Sequence, residues 1–175
     1  LEFRRVLFRS RKVPPARKVS RDQYSSVQIS TPPKRRITLL PGCVQRALAP
    51  EIDMASARVL ARQGDEATSL PCAGCCGALA FHMGREDEAR SQARTLMTVV
   101  EAGGAGADAV LMTASGCVAF LKDYPRLFLG TSEEPRARAF AMKVRDFSEL
   151  LDSNLAPPAP AHTRAWRVAR SEEHT

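Results

Sequence analysis

Three of the five cysteines in this 175-residue sequence lie within five positions, at Cys72, Cys75 and Cys76. Glycines flank this cluster, so the segment is poorly suited to filling a hydrophobic core. Thiolate sulfur is a soft ligand that favours zinc, copper(I) or iron–sulfur clusters. An odd number of cysteines in a sequence without secretory features argues against a disulfide framework. Metal ligation and thiol redox chemistry remain as the two kinds of chemistry to weigh.

Short apolar runs predict three strands, and each strand is followed directly by cysteine. The predicted pairs of strand and cysteine are 36–40 with Cys43, 67–70 with the cluster at 72–76, and 108–113 with Cys117. Strands that alternate with helices indicate an α/β fold, here a small parallel sheet with flanking helices. Because the carboxyl ends of parallel strands meet at one edge, where ligands bind in open sheets, we expect the cysteines to gather there.

Hydrophobic periodicity and helix-terminus signals predict five helices. They are expected at 50–63, 77–83, 86–103, 118–124 (limited by Pro125) and from near Pro135 to Leu151. The apolar face of the first helix is expected to comprise Ile52, Ala55, Val59 and Leu60. Ser115 is expected to shape the turn that presents Cys117 and to cap the helix that follows. Backbone N–H groups and helix dipoles are expected to lower the pKa of the thiols in the preceding loops.

The basic residues are concentrated outside the predicted fold. The formal net charge is +7, but residues 1–36 hold eleven of the 26 Lys and Arg residues and only two acidic ones, so residues 37–169 are close to neutral. This distribution disfavours nucleic-acid binding. No apolar run approaches the roughly 20 residues that a membrane-spanning helix needs. No cleavable signal peptide is recognisable, and a cytoplasmic location is therefore expected.

The sequence divides into five segments. Residues 1–10 read like a translated sequencing adapter and residues 170–175 like the reverse complement of the same adapter, so both are interpreted as artefacts at the ends of a truncated reading frame. Residues 11–36 are predicted to form a basic, Pro- and Ser-containing linker, 37–153 a folded domain, and 154–169 a second, Pro-rich linker.

Ligand spacing separates the metal alternatives. A structural zinc site usually draws C-x2-C pairs around one ion, whereas Cys43 and Cys117 stand alone and Cys75 and Cys76 are adjacent. Adjacent thiolates suit a cluster with several irons better than a single tetrahedral ion, so an iron–sulfur cluster is favoured and zinc stays open as the alternative. The C-x2-C of Cys72 and Cys75 also matches thiol oxidoreductases, but that function leaves the other cysteines without a role.

The cysteine pattern resembles a known family. Cys43, the triplet Cys75-Cys76-Gly77 and Cys117 are separated by 31 and 39 residues, as in the CCG cysteine-rich domain of heterodisulfide reductase and its relatives. Segments 40–45, 74–79 and 113–124, together with His82, are similar to the first CCG domain of glycolate oxidase iron–sulfur subunits. The resemblance covers about residues 36–152.

The resemblance implies that Cys43, Cys75, Cys76 and Cys117 hold an iron–sulfur cluster, of the 4Fe–4S type, in an electron-transfer subunit. Flavin-containing partner subunits would oxidise glycolate to glyoxylate, and electrons would pass through clusters toward a quinone or another acceptor. The fragment alone is not expected to be catalytic. Two ferredoxin-type clusters upstream and a second CCG domain, starting within 154–169, are implied for the full-length subunit. Peripheral association with the inner face of the cell membrane is a further option.

Two features depart from the family pattern or stay open. The pattern usually closes with C-x2-C, and Ala114 stands at the earlier of these positions, which disfavours the five-ligand noncubane site of heterodisulfide reductase. Three roles are open for Cys72: a spare ligand, a resolving thiol and a passive small residue near the site. The passive role is favoured. His82 is either part of the site or an ordinary residue of a helix face. The alternative functions are a structural zinc-binding docking module and a CCG subunit of a lactate-utilisation or heterodisulfide-reductase-like complex.

Overall fold

A computed structural model describes residues 32–70 and 74–151 of the chain. In this part the backbone forms a four-stranded parallel sheet with helices on both faces. The strands are β1 (Arg36–Leu39), β2 (Glu66–Ser69), β3 (Ala109–Leu111) and β4 (Val144–Arg145), in the order β2-β1-β3-β4. The predicted α/β class is confirmed, with one strand more than the sequence predicts. The adapter-like ends, the linker residues 11–31 and 154–169, and Cys72 lie outside the described residues.

Eight helices lie within the described residues. They are α1 (Gln45–Leu48), α2 (Glu51–Gln63), α3 (Ala78–His82), α4 (Glu86–Gly103), α5 (Ser115–Lys122), α6 (Tyr124–Leu127), α7 (Glu134–Lys143) and α8 (Phe147–Leu150). The predictions of α2, α3 and α4 are confirmed, whereas the single turn of α1 is not predicted. Each helix in this part of the chain is too short or too polar to traverse a lipid bilayer.

The sheet separates two hydrophobic clusters, because successive side chains of a strand point to opposite faces. One cluster combines residues of β1 and β3 with Leu60 of α2 and Leu150 of α8; its strand members are Ile37, Leu39, Ala109 and Leu111. The larger cluster lies on the other face, where Val110 and Met112 pack among helices α4 to α7. The fold is therefore a three-layer arrangement of helices, sheet and helices.

The last predicted helix, from near Pro135 to Leu151, is wrong because a strand interrupts it. Helix α7 ends at Lys143, and Val144 enters β4, where it is paired with Val110 of β3. Asp146 then starts α8 with a capping box: its carboxylate accepts a hydrogen bond from the Ser148 N–H at 2.9 Å, and the Glu149 carboxylate accepts from the Asp146 N–H at 2.7 Å. A buried valine suits a helix face and a buried strand equally, so periodicity alone could not locate this break.

Two predictions about helix details are also wrong. Ile52, expected on the apolar face of α2, is 44% exposed. The buried positions of α2 are Asp53, Ser56, Leu60 and Gln63, because three polar residues of this face find hydrogen-bond partners inside the domain. Ser115 is the first residue of α5, and Ala114 occupies the cap position without a side-chain hydrogen bond. Pro125 lies in the first turn of α6, three residues after Lys122, the last residue of α5.

Candidate metal centre

Three loops at the carboxyl edge of the sheet carry the cysteines. Cys43 follows β1, Cys75 and Cys76 directly precede α3, and Cys117 lies in the first turn of α5, just after β3. The parallel register aligns the last residues of β1, β2 and β3 side by side. Sheet topology therefore brings these loops together although they are far apart in the sequence, as the order of strands and cysteines predicts.

The four thiols form two contacting pairs. The Sγ atoms of Cys43 and Cys75 are 3.9 Å apart, and Cys76 and Cys117 are close enough that each shifts the pKa of the other. Cys43 is exposed, Cys76 is buried, and the other two are half-buried; all four are free thiols. Electrostatic interactions link the pairs, because charge on Cys43 or Cys75 also acts on Cys117. We call these four residues the thiol cluster.

The arrangement of the thiol cluster differs from that of a site for one metal ion. Within residues 32–70 and 74–151, no group of three or more His, Cys, Asp or Glu side chains converges closely enough to hold a single ion. A structural zinc site needs four donors around one centre, so the geometry gives the zinc alternative no support. Two pairs of soft sulfur donors fit a group with several metal atoms, each of which takes one sulfur.

The ionisation of the thiols reflects their crowding. Burial, followed by the neighbouring Cys75, raises the pKa of the Cys43 thiol. The hydrogen bond with Cys117, and then burial, raises the pKa of Cys76, and the same hydrogen bond lowers the pKa of Cys117. The expected lowering by helix N-termini is therefore wrong for Cys43 and Cys76, because the backbone N–H groups contribute less than burial and neighbouring sulfur. Positive charge from a bound group would favour the ionised forms of Cys43 and Cys76.

Gly77 allows the cysteine pair to turn directly into α3. Its φ of +92° lies in the left-handed region, and a Cβ added there would be 2.9 Å from the carbonyl oxygen of Ala89 on α4. The Gly77 N–H also lies 3.5 Å from Cys75 Sγ. The glycine of the Cys-Cys-Gly triplet is thus required by the close approach of the α4 backbone.

Tyr124 anchors the backbone of the cysteine pair to the core. Its hydroxyl donates a hydrogen bond of 2.6 Å to the carbonyl oxygen of Cys76, and burial, followed by the charge of Cys76, raises the pKa of the phenol. The ring packs edge-on against Phe120 and stacked on Phe140, with centroid distances of 5.6 and 5.5 Å. In the sequence Tyr124 ends both a predicted helix, 118–124, and a segment that resembles the family, and neither pattern gives it a role at the site.

A hydrogen-bonded triangle connects two of the cysteine loops. Asp53, which is fully buried at the start of α2, accepts hydrogen bonds at Oδ1 from Gln45 Nε2 at 2.7 Å and from the Thr113 hydroxyl at 2.8 Å. Gln45 Nε2 also donates to Thr113 Oγ1. In the sequence Asp53 is simply an acidic residue in the first turn of a predicted helix, where its charge is favourable, and no local pattern shows that it is buried.

His82 lies on an exposed side of α3. Its described contacts are with the rings of Phe81 and Phe120, at centroid distances of 5.8 and 6.4 Å, and none of them is with a cysteine. With these rings and Arg126 it lines a cavity of about 500 Å³. This position corresponds to the helix-face alternative. Ala114, at the position where the family pattern has cysteine, faces Gly42, whose added Cβ would be 3.7 Å from that of Ala114.

Comparison with known proteins connects this site to a family. A family profile described as a cysteine-rich domain, CCG, matches residues 37–122. Over 121 residues the chain is 39% identical to the glycolate oxidase iron–sulfur subunit of Escherichia coli (strain K12), an alignment that covers 67% of this chain and 28% of that protein. The probable glycolate oxidase iron–sulfur subunit of Bacillus subtilis (strain 168) is 33% identical over 121 residues, which are 69% of this chain and 27% of the relative.

A second group of relatives has a different name. Lactate utilization protein A of Geobacillus kaustophilus (strain HTA426) is 28% identical over 117 residues, covering 66% of this chain and 47% of that protein. The chain thus spans between about a quarter and a half of the length of the curated relatives it matches. No solved structure gives a significant match.

Proposed function

Residues 37–122 belong to the family of CCG cysteine-rich domains, and from this premise we propose that the chain is part of an iron–sulfur electron-transfer subunit. The complex would be a flavin-dependent oxidase of glycolate or a similar 2-hydroxy acid. The observation that carries the proposal is the convergence of Cys43, Cys75, Cys76 and Cys117, from three separate loops, at the carboxyl edge of the sheet.

The thiol cluster would hold the iron–sulfur group. Four cysteine sulfurs suffice for a 4Fe–4S cluster, and the placement of Ala114 beside Gly42 leaves the fifth position of the family pattern without a sulfur. When bound, such a group takes up and passes on one electron at a time. The protein's part is to supply the ligands, to bury Cys76 in the core, and to position the cysteine backbone through Gly77 and Tyr124.

The names of the relatives support an oxidase complex as the setting. Electrons would come from flavin-containing subunits of the same complex and leave toward a quinone or another acceptor. Some relatives are named for glycolate oxidase and others for lactate utilisation, so the choice between glycolate and lactate as the 2-hydroxy acid stays open. This chain would contribute electron transfer, and oxidation of the substrate would occur on its partners. A cytoplasmic location, with peripheral association at the membrane, fits this role.

Exposed apolar side chains near the thiol cluster support binding to other subunits. The short helices that follow Cys43 and Cys76, together with the residues that cap them, expose four large apolar side chains, which are between 58% and 70% exposed. We call this set the apolar rim; it comprises Val44, Leu48, Leu79 and Met83. Large exposed apolar side chains grouped around a site are typical of surfaces that another protein covers. Electron transfer between subunits requires such a surface close to the cluster.

The test is the metal and sulfide content of the 175-residue chain purified without oxygen. The proposal predicts iron and acid-labile sulfide in equal amounts, about four of each per chain for a 4Fe–4S cluster. Replacing Cys43, Cys76 or Cys117 with serine should remove most of both, whereas Cys72→Ser should retain them. Stoichiometric zinc without sulfide would refute the proposal. A reversible disulfide that disappears in Cys72→Ser would instead identify a thiol oxidoreductase.

A separate experiment, which uses the assembled complex, identifies the 2-hydroxy acid that is oxidised. Glycolate and lactate are each supplied to the complex under anaerobic conditions, and reduction of the iron–sulfur group is followed by its absorption and paramagnetic signal. Rapid reduction by one acid alone would assign the substrate. Reduction by neither, in a complex that contains flavin and iron, would refute the oxidase setting and leave the iron–sulfur assignment standing.

A further inference from the structure

Asp53 is an unusual residue for the interior of this domain. It is 0% exposed, and in the described part of the chain no cation forms an ion pair with it. Its Oδ2 is buried without a hydrogen-bond partner, and burial raises the pKa of the carboxyl group although two hydrogen bonds act in the opposite direction. Burying a carboxylate without a counter-charge costs stability. A stabilising role therefore does not account for this residue.

The partners of Asp53 indicate what it does. Gln45 lies two residues after Cys43, and Thr113 lies four residues before Cys117. Asp53 Oδ1 accepts a hydrogen bond from each of them, at 2.7 and 2.8 Å, and the donors also contact each other. One oxygen atom on the rigid helix α2 thus connects the loop after β1 with the loop after β3.

The position of these loops decides how the two thiol pairs sit relative to each other. Cys43 belongs to one pair and Cys117 to the other. Pro41 and Gly42 are buried, but Cys43 is exposed and the helix after it, α1, is a single turn without a buried residue, so packing restrains the segment 43–48 of this loop weakly. The hydrogen bond from Gln45 to Asp53 is a restraint that connects this loop to the body of the domain.

We propose that Asp53 is a positioning residue, which holds the Cys43 and Cys117 loops in register through Gln45 and Thr113 so that the four thiols can bind one iron–sulfur group. This inference rests on the proposed function and adds to it a residue outside the cysteine pattern. The acceptor oxygen is what positions the loops, and the negative charge is dispensable. Asparagine, which keeps an acceptor oxygen at the same place, should therefore substitute for Asp53, whereas alanine should not.

The main experiment compares Asp53→Ala, Asp53→Asn and the unchanged chain, each purified without oxygen and loaded with iron and sulfide. Loss of the group to an iron chelator is followed by absorption, and the reduction potential and paramagnetic spectrum are recorded. Asp53→Ala should lose the group about 10-fold faster or more, as found for residues that orient metal ligands, with a shifted potential. Asp53→Asn should stay within about twofold of the unchanged chain.

The matched control is Asp65→Ala. Asp65 is also an aspartate with 0% exposure, but it lies at the opposite edge of the sheet and binds Arg35. Its removal should lower the unfolding temperature without changing the rate of chelator loss or the potential. Equal rates of loss for Asp53→Ala and Asp65→Ala would overturn the proposal, because the effect of Asp53 would then be general destabilisation. Equal behaviour of Asp53→Asn and Asp53→Ala would overturn it as well, since charge would then be what matters.

A second pair of variants serves if Asp53→Ala does not fold. Thr113→Val keeps the side-chain shape and removes the hydroxyl that donates to Asp53, whereas Thr113→Ser keeps the donor. Thr113→Val should accelerate loss of the group severalfold and Thr113→Ser should not. Indistinguishable rates for these two variants would contradict the positioning role.

A measurement without metal separates this inference from the proposed function. In the metal-free chain, a mild thiol oxidant should join Cys43 to Cys75, whose sulfurs are 3.9 Å apart, and mass spectrometry quantifies this disulfide. Asp53→Ala should slow its formation by about 10-fold, and Asp53→Asn should not. If the chain without substitutions binds neither iron nor sulfide, the proposed function alone is refuted. If Asp53→Ala forms the disulfide as fast as the chain without substitutions, the positioning role alone is refuted.

Discussion

Two aspartates are completely buried in the described part of this domain, one at each end of helix α2, and their surroundings differ. Asp65, just past the end of α2, receives a two-pronged ion pair from Arg35, with N···O distances of 2.9 and 2.5 Å. Arg35 also donates to the carbonyl oxygen of Leu150. Among residues 32–70 and 74–151, Asp53, in the first turn, has only the neutral donors Gln45 and Thr113, and one of its oxygens is without a partner there.

The difference separates an edge of the sheet that stabilises the fold from an edge where the site is built. At the amino edge, a charge-assisted ion pair compensates the buried carboxylate and joins β1, α2 and α8. At the carboxyl edge lie an uncompensated carboxylate, two thiols with raised pKa values, and the exposed apolar rim. Locally unfavourable features of this kind cluster at functional sites, where binding of a cofactor or partner offsets them.

The largest expected effect is at the carboxyl edge, where Gly77→Ala should reduce the free energy of unfolding by about 2–4 kcal/mol, from left-handed strain plus a steric clash. The added methyl would lie 2.9 Å from the Ala89 carbonyl oxygen. Gly84→Ala is the matched control, because Gly84 has a φ of +75° but nothing within 4 Å of the added methyl. Urea unfolding measures both, and an equal loss for the two variants would show that the contact with α4 is unimportant.

Asp65→Ala tests the amino edge and should have the next largest effect. It leaves the guanidinium of Arg35 without this carboxylate, but Arg35 is 38% exposed and can turn toward water. The expected loss is therefore about 1–3 kcal/mol, below the value for a fully buried pair. Iron content per folded molecule should stay unchanged. A variant that loses iron while its stability is preserved would contradict the division of roles between the two edges.

Tyr124→Phe sharpens the comparison by removing a single hydrogen bond beneath the thiol cluster. The carbonyl oxygen of Cys76 would lose its 2.6 Å donor inside the core. A buried acceptor left without a donor costs about 1–2 kcal/mol. We expect this loss of stability in urea unfolding together with a shift of the reduction potential, because the backbone of Cys76, a proposed ligand, is released. A stability loss without any shift in potential would show that Tyr124 serves the core alone.

The smallest effect concerns the capping box of α8, whose last turn contacts Arg35 at the amino edge. Hydrogen bonds with Ser148 lower the pKa of Asp146 below its ordinary value of 3.8. The pKa of Glu149 is lowered below its ordinary value of 4.5, first by the hydrogen bond from the Lys122 ammonium and then by that from the Asp146 N–H. Because both folded-state values are depressed, the stabilisation is complete above about pH 5 and is lost as the pH falls through the folded-state pKa values.

Asp146→Ala should accordingly reduce stability by about 1 kcal/mol at pH 7. The difference from the unchanged chain should shrink toward zero as the pH falls well below 4, where the native carboxyl group is protonated too. Thermal unfolding of both proteins across this pH range provides the measurement. A difference that stays constant with pH would mean that the capping carboxylate does not act through its charge.

Much of the fold follows from local signals. The apolar runs at β1 and β3 and the periodicity of α4 each produce one strong pattern, because a buried strand and an amphipathic helix impose their own spacing on the residues that form them. Strand β4 is different. Its two residues have no periodicity of their own, and Val144 becomes strand only because the edge of β3 is available for pairing with it.

Like the fold, the site has a part that the sequence predicts and a part that it does not. The order of strand, loop and cysteine was enough to predict that Cys43, Cys75, Cys76 and Cys117 share an edge, because parallel topology aligns strand ends whatever the side chains are. Their role as ligands remains a prediction. Gln45, Asp53 and Thr113 were not predicted as partners, since a buried hydrogen-bond network joins residues from three elements and leaves no local pattern.

The sequence by itself determined the class of fold, the spacing of the four sulfur donors and their presence in loops after strands, because these follow from local hydrophobic pattern and from ligand chemistry. Only the tertiary structure decided that Cys43 contacts Cys75 while Cys76 contacts Cys117, that Gly77 is held against α4, and that one buried aspartate receives a cation and the other does not. These facts depend on contacts between residues far apart in the chain, and such contacts exist only once the sheet has aligned its strands and the helices have packed against it.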